Sequence, residues 1–324
     1  MELFRTVVNC APSPEKMDYD SSIMMMGSCF AENLGVRLQQ LKFNVIVNPF
    51  GIVYHPAPAA YQLKRIISGK YYTIDELHKR DELWHSFDHH GRFSHTDAQT
   101  CLEQMNRELQ QAHEQLAQAN RLFVTFGTAW GYRMKNTGHI SANCHKFPSS
   151  DFERISFDEE TIYSVWSKSI SELRRFNPNI KIVFTLSPIR HLRDGAHENQ
   201  LSKSTLLLAI ERLYRNTENT DYFPAYEIVL DELRDYRFYA DDMTHPNNLA
   251  FNYVWKIFCE CYMDEDTTRI MKTVEDIVKA AIHRPIHLTS EYRKFAATYV
   301  EKIARLKQQM PQLDFTAEIE RFTS

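Results

Sequence analysis

Ile23-Met24-Met25-Met26-Gly27-Ser28-Cys29-Phe30-Ala31-Glu32-Asn33-Leu34-Gly35-Val36-Arg37-Leu38 is the stretch that decides the fold. Four consecutive apolar residues closed by glycine read as a short strand buried on both faces. Beyond Ser28 the apolar positions fall three to four apart, the spacing of one helix face. The same rhythm recurs downstream. Phe43 to Val47 reads as a second strand, closed by Asn48-Pro49-Phe50-Gly51, and a helix follows over 59–67. A long helix capped by Thr96 and running through Gln118 leads into Leu122-Phe123-Val124-Thr125-Phe126, which ends at Gly127. A helix over 159–176 stops at Asn177-Pro178-Asn179, and Ile180 to Leu186 is a fourth strand, closed by Ser187-Pro188. A helix from Lys203 to Asn216 precedes the last strand, Glu227 to Leu230.

Strands alternating with helices pair in parallel through right-handed crossovers. The expected fold is therefore α/β: a three-layer, doubly wound, mostly parallel five-stranded sheet with helices on both faces. Ligands bind outside the carboxyl ends of the strands in that architecture. Residues 71–95 break the rhythm, and Leu83 to Phe87 and Arg92 to His95 around Asp88-His89-His90-Gly91 read as a β-hairpin insertion, a lid or rim. Residues 264–324 read as a charged helical extension packed on a catalytic domain of 1–263.

Composition narrows the function. In 324 residues, 43% hydrophobic and 25% charged, there is enough apolar material for a sizeable core. The net charge of −4 and the dispersed basic residues exclude a nucleic-acid footprint. No apolar run approaches the roughly 20 residues of a membrane span. The start of the chain shows no signal-peptide pattern, so a cytoplasmic protein with six reduced cysteines is expected. Neither a cofactor nor a metal is expected, and the sequence leaves the oligomeric state open.

Ser28 falls between a strand and a helix, at the carboxyl edge of the sheet, where a helix N-terminus offers amides to a developing oxyanion. A serine hydroxyl needs a neighbouring base. Asp242 and His245, three apart, supply one: the carboxylate holds one ring nitrogen and leaves the other free, and Pro246 restricts the backbone of His245. Cys29 is the rival nucleophile, because a thiolate is activated at a helix N-terminus. Successive residues at such a turn point in different directions, so only one of the two can face His245.

Met26-Gly27-Ser28-Cys29-Phe30-Ala31 resembles the signature of the GSCFA domain family, which looks like a branch of the SGNH (GDSL-like) hydrolases, with their flavodoxin-like sheet. The resemblance spans about residues 20–260, and Asn48-Pro49-Phe50-Gly51, Asn143-Cys144-His145-Lys146 and Ser187-Pro188-Ile189-Arg190-His191 fit it as well. It implies a serine esterase or acyltransferase acting on a short-acyl ester of a small molecule or carbohydrate. Ser28, His245 and Asp242 would form the triad, with Cys29 a small buried residue. The oxyanion hole implied draws on Ser28, Gly51 and Gly127, but Ala129 stands where the family pattern places an asparagine. Thr128, or Asn143 and His145 from the next loop, could substitute for it. His145, Arg190 and His191 follow the third and fourth strands onto the same sheet edge and are candidate substrate contacts. A non-catalytic carbohydrate-binding or scaffold protein is the alternative that Ala129 leaves open. The histidines of the insertion lack a tight metal spacing.

Overall fold

The computed structural model describes residues 5–283 and 287–323, so residues 1–4 of the expected catalytic domain and 284–286 and 324 of the tail lie outside the described residues. The chain runs β1 (Ser22–Gly27), α1 (Cys29–Gln40), β2 (Asn44–Val47), α2 (Pro56–Ser68), β3 (His78–Arg80), β4 (Leu83–His85), α3 (Ala98–Gln118) and β5 (Arg121–Phe126). It continues through β6 (Trp130–Met134), β7 (Ile140–Ser141), β8 (Phe152–Ser156), α4 (Glu159–Phe176), β9 (Lys181–Leu186), α5 (Ala196–Asn216), β10 (Thr220–Phe223) and α6 (Ala225–Glu227). Four further helices close it: α7 (Asn248–Tyr262), α8 (Glu265–Ile282), α9 (Ser290–Gln309) and α10 (Thr316–Thr323).

The central sheet has five parallel strands in the order β10-β9-β5-β1-β2. Alternation along each strand divides the core in two. Met25, Phe123 and Val183 face α1 and α7, and the apolar sides of α8, α9 and α10 extend this layer. Met24, Leu122, Val124, Ile182 and Phe184 face the opposite layer, α2 to α5. Both faces are covered, which is why these strands read as unbroken apolar runs. The order reverses at β1, and Gly27 lies in register with Thr125 of β5, itself paired with Thr185 of β9. The switch point thus puts the β1–α1 turn beside the ends of β5 and β9.

Several expectations are corrected. Residues 227–230 are helical: α6 runs into a π turn over Ile228–Glu232, and the last strand is β10. A short apolar run does not distinguish strand from helix by periodicity. The hairpin forms between β3 and β4, because Asp81 takes a left-handed φ of 52° and makes the turn. Gly91–Phe93 is instead a 3-10 turn, leaving only a Trp84–His95 bridge of the expected pairing. A three-stranded antiparallel sheet, β7-β6-β8, was not legible. Its Met134 and Phe152 pack on Phe87 and so join it to the insertion. Asp97, not Thr96, caps α3, accepting from the Thr100 amide at 2.7 Å.

Cys10 and Cys261 are paired as a disulfide, so four cysteines rather than six are free. The N-terminal segment lies along the end of α7, where Ser13 and Met17 donate amides to Cys261 and Tyr262, and this brings the sulfurs together. Among the described residues no helix is long and apolar enough to cross a membrane.

Phe258 of α7 joins the layers, fully buried against Phe123, Phe223, Trp255 and Tyr262 with ring centroids 5.1–5.7 Å apart. Phe258→Ala is expected to lower the unfolding free energy by about 3–5 kcal/mol, measured by urea denaturation. A loss below about 1 kcal/mol would contradict this packing.

Candidate active site

Gly27 ends β1 with φ of +128°, and any side chain there would collide with the Thr125 carbonyl. The loop after β2 clamps this residue. The Gly27 amide donates to Asn48 Oδ1 at 2.8 Å, and its carbonyl accepts from the Val53 amide at 3.0 Å. Asn48 Nδ2 in turn donates to Glu32 Oε2 at 2.7 Å. With Gly27 fixed, Ser28 is driven inward. It is fully buried, and its Oγ accepts from the Phe30 amide at 3.2 Å as the N-cap of α1.

Cys29 is the residue that faces outward. Its Sγ lies 3.8 Å from His245 Nε2. The Ser28 hydroxyl, expected beside His245, accepts instead in the cap of α1, and it is the Cys29 thiol that stands opposite the imidazole.

His245 is held by a turn closed by Asp242. Asp242 Oδ1 accepts from the amides of Thr244 and His245, both at 2.9 Å, while Oδ2 lies 2.6 Å from His245 Nδ1. Those amide bonds, with the imidazole's own, hold the Asp242 carboxyl well below the usual carboxylate range. Nδ1 is thereby engaged and Nε2 presented to the sulfur. Arg190 braces this turn. Its amide donates to Thr244 O at 3.2 Å, its guanidinium to the Tyr239 hydroxyl at 3.1 Å, and it stacks 4.2 Å over the Tyr239 ring.

Beneath the pair lies a lysine that the sequence analysis passed over. Lys203 is 2% exposed, and its Nζ donates to Gly127 O at 2.7 Å and Ser187 O at 2.8 Å, tying together the ends of β5 and β9. Burial lowers it to about 7, against a pull upward from Cys29. The thiol feels the converse. Burial pushes Cys29 up, while its own amide, the Tyr54 hydroxyl, the Lys203 charge and the Phe30 amide pull it down. His191 sits edge-on to Tyr54 with ring centroids 5.2 Å apart, its Nε2 buried without a partner. Burial, then the charges of Lys203 and His245, lower it to about 3.

The backbone amides expected as oxyanion donors are otherwise occupied. The amide of Ser28 donates to Thr125 O at 3.3 Å, that of Gly51 to Asn48 O at 2.7 Å, and those of Gly127 and Thr128 to Tyr54 O at 2.8 and 3.1 Å. Thr128 Oγ1 accepts from Trp130 N at 3.1 Å, and Asn143 Oδ1 from His145 N at 2.9 Å. His145 Nε2 meets Ser86 O at 2.8 Å, so Asn143 and His145 dock the insertion rather than frame the thiol. Of the insertion's histidines, His85 packs on the His145 ring with centroids 4.6 Å apart and bonds Ser94 Oγ at 2.7 Å, and His89 bonds Ser86 Oγ at 2.9 Å. Among the described residues no three His, Cys, Asp or Glu side chains converge to hold a metal.

Comparison with known proteins gives a family match and distant structural likenesses. The family model described as GSCFA family matches residues 22–258, and that described as GSCFA domain protein, C-terminal domain, matches residues 274–324. No curated protein matches the sequence. Among solved structures, a carbohydrate esterase family 3 protein from Talaromyces cellulolyticus is 8% identical, with a TM-score of 0.37 over 79% of this chain and 99% of that one. An acetyl xylan esterase, Est2A, from the rumen bacterium Butyrivibrio proteoclasticus is 13% identical, with a TM-score of 0.38 over 74% and 63%. A family two carbohydrate esterase from Clostridium thermocellum, in complex with cellohexaose, is 12% identical, with a TM-score of 0.36 over 82% and 67%.

The buried lysine leaves a pH signature. A lysine at about 7 when folded and roughly 10.4 when unfolded costs stability while charged in both states. The folded protein releases that proton first as pH rises, so the unfolded chain binds more protons across this window and stability grows. Urea denaturation is expected to show wild type gaining stability relative to Lys203→Met between about pH 7 and 10. Parallel curves for the two proteins would contradict the placement of Lys203.

Proposed function

The chain belongs to the GSCFA family, and on that footing we propose that it is an acyl-transfer enzyme of the hydrolase kind whose nucleophile is the Cys29 thiol. The observation that carries this reading is the line Cys29 Sγ, His245 Nε2, His245 Nδ1, Asp242 Oδ2, with separations of 3.8 and 2.6 Å, while Ser28 Oγ is buried in a cap. A nucleophile, a base in reach and a third group orienting the base are the minimum for covalent acyl transfer.

The steps follow from the geometry. His245 Nε2 takes the thiol proton, and the thiolate attacks an ester carbonyl, whose π electrons move onto oxygen. Collapse of that intermediate expels the alcohol, which receives the proton from His245, and leaves a thioester on Cys29. Water or an acceptor alcohol then gives its proton to His245 and attacks the thioester, and the thiolate departs. Asp242 stays ionised throughout and stabilises the imidazolium. The substrate proposed is a short-acyl ester of a small molecule or sugar hydroxyl, as the SGNH resemblance suggests. Hydrolysis and transfer share every residue named.

Two readouts test the nucleophile together: hydrolysis of p-nitrophenyl acetate and alkylation of Cys29 by iodoacetamide. Cys29→Ala is expected to abolish enzymatic turnover. Ser28→Ala should keep most of it while losing about 1 kcal/mol of stability from the cap. His245→Ala should slow turnover by roughly 10²–10⁴. Because burial pushes the Cys29 thiol up, the rate should climb with pH as thiolate forms. Turnover that survives Cys29→Ala but disappears in Ser28→Ala would overturn the assignment.

A further inference from the structure

We infer that His191 is the oxyanion donor of this site, its neutral Nε2–H taking, beside the Cys29 amide, the place the family pattern gives to an asparagine. The inference rests on the reading of Cys29 as nucleophile. Attack on an ester carbonyl places a full negative charge on oxygen, and donors fixed in advance around that oxygen are the largest single source of rate in such reactions. The backbone amides the sequence offered for this task are already bonded, as described above, and Ala129 carries no donor side chain. The Cys29 amide bonds no backbone carbonyl among the described residues and faces its own sulfur, so it is the backbone donor nearest the attacked carbonyl.

His191 supplies the second on four counts. Its Nε2 is buried and has no partner among the described residues. A buried donor left without a partner costs roughly 1–3 kcal/mol, which a bound oxyanion would relieve. The ring lies over Gly127 so closely that a Cβ there would stand 3.2 Å from Nε2. The glycine thus lets the imidazole pack directly on the end of β5 beside Tyr54. The backbone is also anchored: the His191 amide donates to Asn199 Oδ1 at 2.9 Å, and its neighbour Arg190 is bonded to the His245 turn.

The fourth count is charge. The groups facing the ring are Tyr54 from the loop before α2, Lys203 from α5 and His245 from the turn before α7. Burial is the main force against a charge on this ring, and the Lys203 and His245 sites add to it, which lowers the imidazole to about 3. A neutral imidazole donates one hydrogen bond without surrendering its proton, and two histidines of one site then have separate tasks. His245, half exposed and paired to a carboxylate, moves protons. His191, shut in beside a buried ammonium, does not.

The test uses the full chain, p-nitrophenyl acetate and iodoacetamide. His191→Phe retains the ring's bulk without a donor, and His191→Leu is a second donor-free variant should the first not fold. His191→Gln restores a donor. The donor-free variant is expected to lose roughly 10²–10³ in kcat with little change in KM, and the Gln variant to recover part of it. Alkylation of Cys29 should proceed at the wild-type rate in all three, because displacement of iodide creates no oxyanion. The wild-type to variant ratio of kcat should stay constant between about pH 5 and 9, since a neutral group does not titrate there. A kcat within a few-fold of wild type, with Cys29 alkylated normally, would overturn the role of His191 and leave the nucleophile standing. Failure of wild-type Cys29 to react with either reagent would overturn both.

Discussion

The β1–α1 turn is the constraint on which this site depends. A chain leaving a fully buried parallel strand has about one residue in which to change direction and begin a helix. Gly27 makes that change against the Thr125 carbonyl in a backbone conformation that side chains oppose. The next residue must satisfy the orphan amides of the new helix, and a serine Oγ turned inward does so. Once the cap is in place, the first helical residue is turned toward the open edge of the sheet. The capping serine and the proposed nucleophile are thus adjacent residues with opposite directions, and the backbone rather than the side-chain chemistry sets which faces the open edge.

The second organising feature is a positive charge with no carboxylate partner. Lys203 bridges the carbonyl ends of β5 and β9, so it stiffens the sheet edge at the point where three strands deliver the site. When charged it pulls the Cys29 thiol down against the larger upward push of burial, and it adds to the burial that keeps His191 neutral. The 71–95 insertion supports the arrangement from outside. Arg92 donates to Asn48 O at 2.8 Å and His90 N to Phe50 O at 2.8 Å, so the insertion presses on the loop that clamps Gly27.

The parts legible in the sequence were those whose signal is local. β1, β5 and β9 are unbroken apolar runs because both faces are covered, and the pairing of Asp242 with His245 needs only three residues of spacing. What was not legible depends on geometry across the fold. Ile228, Val229 and Leu230 read as a strand because three apolar residues carry no period, and only the pairing of Thr220–Phe223 with β9 shows where the strand is. The family pattern points to Ser28, while the preference of serine for N-caps and the reactivity of thiols in a first helical turn both point to Cys29. Lys203 was hidden as an ordinary helix lysine. Its place on the buried stripe with Leu206, Ile210 and Leu213 was the clue, since a lysine on an apolar helix face must find polar partners.

The account stands or falls on which atom carries the acyl group. Full-length protein mixed with p-nitrophenyl acetate, quenched in acid before turnover completes and mapped by peptide mass spectrometry, reads this directly. The account predicts an acetyl group on the peptide containing Cys29, attached through sulfur and released by neutral hydroxylamine, and absent from the Cys29→Ala variant. An acetyl group on Ser28 Oγ, stable to hydroxylamine and retained when Cys29 is removed, would contradict it.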